Sequence, residues 1–337
     1  MNYLNSNKIS ESFRTKAIDL NDKRILITNF ENSDQEKDFT EPANCHGFGR
    51  IRHFKLSDET DWPLNPLPIL PALKALKLAK SEILRAQVFQ NSVCNWRCWY
   101  CFVDFKLLSG NKSYSDFLSC ETLLDYYLEQ DNPPAVIDLT GGQPDLTPEW
   151  TVWMMEALNS KGLSKSVYLW SDDNLSNDYL WRFLTPKQLT LIQNYPMYGR
   201  VCCFKGIDEL SFSYNTGAPP SLFHNQFVIW ERLLKLGIDL YSYLTLPSPT
   251  TNDLKGSINK FFDRIQNIDE MYPLRIVPLK IQKFLPVVGR IKAVHEDLLE
   301  GQQMAIYLWK EELEKRFSKE MIDKDITEIP TKFQRYE

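Results

Sequence analysis

The apolar positions change character along the chain. From residue 86 onward, short apolar runs that end in polar or glycine-containing turns alternate with longer segments of helical period. The runs over 86–93, 135–140, 166–171, 209–214, 239–246 and 274–279 read as strands. The segments 120–129, 148–159, 177–184, 222–236, 254–265 and 298–317 read as helices. Neighbouring strands separated by helices pair in parallel, because a parallel pair needs a crossover connection. The pattern predicts an α/β fold: a (β/α)6 TIM-like barrel, complete or partial, over 86–295, followed by a C-terminal helix and tail over 296–337. Chemistry in such sheets collects at the carboxyl ends of the strands, so each loop after a strand is a place to search.

Residues 1–85 read differently, as an N-terminal accessory segment. A strand is expected over 23–30, then a polar, acidic stretch over 31–41, then a turn and strand within 44–55. Pro63, Pro66, Pro68 and Pro71 impose an extended connector, since each fixes φ and removes a donor. Leu73, Leu76, Ala79 and Ile83 then recur at helical spacing, which predicts a helix over 72–85 with Pro71 in its first turn.

Composition narrows the class. In 337 residues, 43% hydrophobic and 25% charged side chains are globular values and argue against disorder or a membrane bundle. No uninterrupted apolar run reaches the ~18 residues of a spanning helix, and the N-terminus is polar, so no membrane contact and a cytoplasmic location are expected. The net charge of −5 gives no overall drive towards nucleic acid. Seven cysteines cannot all pair, which excludes a complete disulfide framework and leaves thiols for metal or catalysis.

Three of the seven stand together. Cys94, Cys98 and Cys101 have the spacing Cys-x3-Cys-x2-Cys, directly after the first barrel strand. A zinc site normally wants a fourth Cys or His at matching distance, and none of the four histidines lies near Cys101 in sequence. Three thiolates suit a four-iron cluster in which one iron lacks a protein ligand. After the second strand comes Thr140-Gly141-Gly142-Gln143-Pro144, whose paired glycines permit close backbone approach, or serve simply as a turn.

On these residues the chain resembles the radical S-adenosylmethionine (SAM) superfamily. Its three-cysteine signature has an aromatic residue before the last cysteine, here Tyr100. The resemblance covers about 86–279 and implies that Cys94, Cys98 and Cys101 hold a [4Fe-4S] cluster, with SAM on the fourth iron and Tyr100 near its adenine. Gly141, Gly142, Gln143 and Pro144 are similar to the family's GGEP motif, with Gln143 in place of the usual glutamate; Asp145 is a candidate substitute. Asp172 follows the third strand, where polar groups could hold ribose hydroxyls or substrate, and Thr245 ends the fifth; the resemblance implies SAM contacts at Ser213 and Asn215, which end the expected fourth strand, and at Ile276 on the sixth. Asp172, with Ser171, Asp173 and Asn174, equally suits a cap and turn.

The resemblance implies a radical enzyme fed by an electron donor of flavodoxin or ferredoxin type, in which a 5′-deoxyadenosyl radical abstracts hydrogen from a small molecule, peptide or nucleotide. A glycyl-radical-enzyme activase, an RNA-modifying enzyme and a degenerate, non-catalytic iron–sulfur protein are the alternatives. Cys45, Cys120, Cys202 and Cys203 have no assigned task, although Cys203 or Lys205 would suit a hydrogen-atom or proton donor. Lys74, Lys77 and Lys80 share a helical face, and Lys280, Lys283, Arg290 and Lys292 form a basic run. Both read as solvated faces or as contacts to phosphate.

Overall fold

The computed structural model describes residues 3–57, 63–249 and 253–333. Residues 1–2 of the polar N-terminus and 334–337 of the expected tail lie outside the described residues. One sheet frames the molecule, in the spatial order β10 (Ile276–Pro278), β9 (Leu240–Leu244), β8 (Tyr198–Phe204), β7 (Tyr168–Asp173), β6 (Val136–Thr140), β4 (Ile83–Gln90) and β3 (Gly49–Lys55). The first six run parallel, and β3 is antiparallel to β4 from Gly49–Phe89 to Lys55–Ile83. The sheet curls into a partial barrel, as the alternation of strand and helix predicts. A smaller antiparallel sheet joins β1 (Ile18–Asp19), β2 (Arg24–Thr28) and β5 (Ser115–Ser119).

The helices are α1 (Ser6–Ala17), α2 (Ile69–Leu76), α3 (Cys120–Leu128), α4 (Glu149–Ser160), α5 (Tyr179–Phe183), α6 (Pro186–Asn194), α7 (Glu209–Thr216), α8 (Leu222–Leu236), α9 (Leu254–Gln266), α10 (Leu285–Val288), α11 (Ala293–Arg316) and α12 (Lys319–Ile322). Those from α3 to α9 are the crossovers of the parallel strands and cover the outer face of the sheet. Strands covered on both faces lose the apolar-polar alternation, and β6 (VIDLT) is buried at every position.

Two expected elements differ. Residues 209–214 alternate like a strand but form α7. Asp208 accepts the Ser211 N–H at 2.7 Å at its start, and Gly217 closes it in the left-handed region at φ 73°. The fourth parallel strand is β8, so Cys202 and Cys203 are strand residues. The expected helix over 72–85 stops at Leu76, where Lys77 turns left-handed at φ 54°, and Ile83–Arg85 pair with β3 instead. Amphipathic spacing lost there to a seven-residue antiparallel ladder.

Side-chain alternation along the strands sets the barrel interior. Tyr168, Trp170 and Tyr241 fill its lower part, with the Trp170 ring centroid about 6 Å from each of the other two. Full burial of each contributes about 2 kcal/mol relative to exposure. Gly199 makes room for them, since a Cβ there would lie 2.1 Å from the Tyr168 hydroxyl. Above this layer, towards the carboxyl ends, the interior is polar.

Candidate active site

A cavity of about 500 Å3 opens at the carboxyl ends of the parallel strands, walled on one side by β3. A wider depression of about 730 Å3 between α1 and α5 is more open and holds no cysteine. The cavity is where sequence-predicted residues converge: Cys94, Cys98, Cys101, Tyr100, Gly141, Gly142, Gln143 and Asp172 all line it.

The cysteine loop that leaves β4 is held from several directions. Cys94 N–H donates to Leu108 O at 3.1 Å, Arg97 N–H to Thr216 O at 3.1 Å and Trp99 N–H to Asn215 O at 3.3 Å. Trp99 Nε1 donates to Asn215 Oδ1 at 3.0 Å, and its indole stacks on His295 with centroids 4.4 Å apart. Arg290 donates to Cys98 O, Cys101 O and Val103 O at 3.4, 2.7 and 2.9 Å. A residue of the expected basic run therefore turns inward and ties down loop carbonyls.

With backbone groups thus satisfied, the thiols are left to face the cavity. Burial pushes the Cys98 thiol up to about 12, against the pull of Lys205, and raises Cys94 as well. Among the described residues no three Cys, His, Asp or Glu side chains converge as a metal-binding group. The donor set still fits a thiolate-ligated cluster: three cysteines on one short loop line one cavity, and Lys205 adds positive charge near Cys94 and Cys98.

The glycine turn after β6 is built against this loop. Gly142 sits at φ 58°, and a Cβ on it would lie 2.4 Å from the carbonyl oxygens of both Asn91 and Val93. Only glycine allows the two loops this approach, which Gln143 N–H seals by donating to Val93 O at 2.7 Å. The Gln143 side chain is fully engaged: Nε2 donates to Asp173 Oδ1 at 2.7 Å, and Oε1 accepts Asn174 N–H at 2.9 Å. A glutamate here would confront the Asp173 carboxylate, so the departure from GGEP follows from its neighbour. Asp145 is no substitute facing the cavity, for it pairs with Arg200 beneath the turn. Pro144 begins the short turn that carries it and is buried outside the cavity lining.

The remaining predicted positions separate. Asp172 ends β7 in the cavity and accepts from Thr140 Oγ1. Thr245 is buried, 3.1 Å from the Tyr100 hydroxyl and 3.9 Å from Cys203 Sγ. Ser213 and Asn215 lie on α7 rather than after a strand. Ser213 bonds Ala218 O at 2.7 Å, while Asn215 Nδ2 donates to Lys205 O and Pro247 O, both at 3.0 Å. Asn215 thus braces the cysteine loop. Ile276 is buried on β10 and, like Ser213, Asn215 and Thr245, does not line the cavity. Cys203 and Lys205 do line it. Cys45 and Cys120 are buried elsewhere, near Gln130 Nε2 at 3.6 Å and Trp150 O at 3.8 Å.

Sequence reasoning passed over Arg50 and Arg52. Both line the cavity from β3, and Arg50 stands level with Asp138 across β4. Burial pulls Arg50 down to about 9, with Arg52 beside it acting in the same direction. Burial pushes Asp138 well above the usual carboxylate range, with Asp172 adding to it and the two arginines opposing.

No protein-family model matches the chain, and no curated protein matches it. Among solved structures it is similar to Streptococcus suis SuiB bound to S-adenosylmethionine, at 14% identity over 66% of this chain and 46% of that one, TM-score 0.42. It is similar also to SuiB bound to precursor peptide SuiA (13% identity, 54% of this chain, 36% of that one, TM-score 0.36) and to anSMEcpe with bound AdoMet (13%, 67%, 60%, TM-score 0.42). The matched regions span between 36% and 60% of those chains.

Proposed function

We propose that the chain is a radical SAM enzyme whose Cys94, Cys98 and Cys101 hold a [4Fe-4S] cluster. The observation that carries this reading is the meeting, in one cavity, of a Cys-x3-Cys-x2-Cys loop from β4 and a left-handed glycine turn from β6 that leaves no room for a Cβ. When bound, the cluster supplies the electron that splits SAM into methionine and a 5′-deoxyadenosyl radical. The chain's own residues bind and orient. Gly141 and Gly142 bring backbone beside the cysteine loop, where their carbonyls would accept from the SAM ammonium. Tyr100, fixed by Thr245, offers an aromatic wall for adenine, and Asp172 offers an acceptor for ribose hydroxyls. Asn215 and Arg290 act as positioning residues that keep the loop in register. The aromatic layer of Tyr168, Trp170 and Tyr241 closes the cavity from below and excludes water. An external flavodoxin or ferredoxin would deliver the electron, and the substrate is a small molecule, peptide or nucleotide.

Anaerobic reconstitution with iron and sulfide should give broad visible absorbance, and SAM with dithionite should then give 5′-deoxyadenosine. Replacing Cys94, Cys98 and Cys101 together by Ala should abolish both while leaving the circular dichroism spectrum unchanged. Surviving absorbance in the triple variant would refute the ligand assignment. A cluster without any 5′-deoxyadenosine would favour the degenerate, non-catalytic reading.

A further inference from the structure

The β3 wall of the cavity carries two arginines that form no ion pair among the described residues. Arg50 and Arg52 are two residues apart on a strand, so their side chains share the face turned to the interior. Both line the cavity. Arg50 is only 7% exposed, yet its Nε is buried without a hydrogen-bond partner. Among the described residues, neither guanidinium forms an ion pair within 4.0 Å. Burial of a guanidinium without a partner is destabilising unless a ligand restores its bonds.

The surroundings point to an oxyanion as that ligand. Aromatic rings lie near both guanidinium groups: Arg50 lies 5.2 Å from the Phe39 centroid and 5.6 Å from Phe102, and Arg52 lies 4.2 Å from Phe54 and 6.0 Å from Phe102. Ring contacts of this kind use none of the N–H donors, which are left for the fork of bonds that matches carboxylate or phosphate. The nearby carboxylates do not take that role. Asp138 has both oxygens buried and unpartnered, and burial favours its neutral form; Asp172 is engaged by Thr140. Phe102 follows Cys101 directly, so the pair stands beside the cysteine loop.

We infer that Arg50 and Arg52 form an oxyanion subsite that holds a carboxylate or phosphate of the substrate against the β3 wall. This rests on the proposed radical SAM reading for the word substrate, but the binding chemistry stands apart from it. SAM carries a carboxylate of its own, so the same two arginines have two sources of anion to be told apart.

The full chain as purified is titrated by calorimetry with succinate and with inorganic pyrophosphate, which needs neither cluster nor SAM. Saturable binding of at least one is expected, weakened about tenfold or more in Arg50→Gln and in Arg52→Gln. SAM affinity of the reconstituted protein should stay within about twofold in the same variants. Arg52 is half-buried, so Arg52→Gln carries the test alone if Arg50→Gln fails to fold. Three results overturn the inference: no saturable binding of either anion, binding unchanged in the variants, or SAM binding lost in parallel with anion binding. The last would assign the arginines to the methionine carboxylate. Loss of 5′-deoxyadenosine formation with anion binding intact would instead sink the radical reading and leave the subsite.

Discussion

Two buried charge clusters lie at opposite faces of the same sheet, and they are built to opposite rules. Val201 and Cys203 line the cavity, so Arg200, one residue before Val201, faces the other way. There its guanidinium contacts Asp145 directly and Asp173 at 3.1 Å, with all three side chains at most 2% exposed. Asp173 is also bonded by Gln143 Nε2 at 2.7 Å and Leu175 N–H at 2.8 Å. Every charged side chain in this outer cluster has a protein partner. Inside the barrel, Arg50, Arg52, Asp138 and Asp172 lie near one another without ion pairs among them. The difference teaches what each is for. A closed cluster locks the glycine turn to β7 and β8 and so positions the backbone beneath the cysteine loop. An open one keeps its bonding capacity for something that enters.

The largest expected effect tests the closed cluster. Arg200→Met leaves two buried carboxylates uncompensated and should cost about 3–5 kcal/mol in urea unfolding. A loss below about 1 kcal/mol would show that the pairing is incidental and erase the contrast. A smaller effect is expected from Gln143→Glu, which replaces an N–H donor facing Asp173 by a carboxylate, at about 1–3 kcal/mol near neutral pH. The new carboxyl would be raised above its unfolded value by Asp173. Its penalty should therefore be slight at low pH, where the protonated form still donates, and grow as pH rises through the unfolded glutamate range. A penalty independent of pH would mean that Asp173 does not dictate the glutamine.

How much of this was legible in the sequence follows from how local each signal is. The cysteine triad and the glycine pair were found because ligand spacing and a tight turn are properties of a few consecutive residues. The fourth strand was misplaced because ELSFSY alternates like a strand, while the true strand carries Gly199, a turn signal in sequence. That glycine is set by the Tyr168 hydroxyl from the neighbouring strand. Asn215 was expected to contact SAM and instead holds Trp99, 116 residues away in sequence. Arg50 and Arg52 were visible only as positive residues before a strand. That they reach the barrel depends on the pairing of β3 with β4, a long-range register that residue periodicity does not encode.

The smallest effect probes the open cluster from its acidic side. Asp138→Asn exchanges one buried, unpartnered polar group for another of the same shape, so at pH 4 the variant should lie within about 1 kcal/mol of the parent. The sign at higher pH follows from the direction of the Asp138 shift. Burial first, and Asp172 second, raise its folded value well above 3.8, while Arg52 and Arg50 pull it down. Between the unfolded and folded values the native state binds the extra proton, so this group's stabilisation is complete below the unfolded value and is lost as pH rises through the folded one. The parent should therefore lose stability relative to Asp138→Asn as pH climbs from about 4 to 7. Parallel stability curves would mean that burial does not hold Asp138 neutral, and that the arginines opposite it already have their anion.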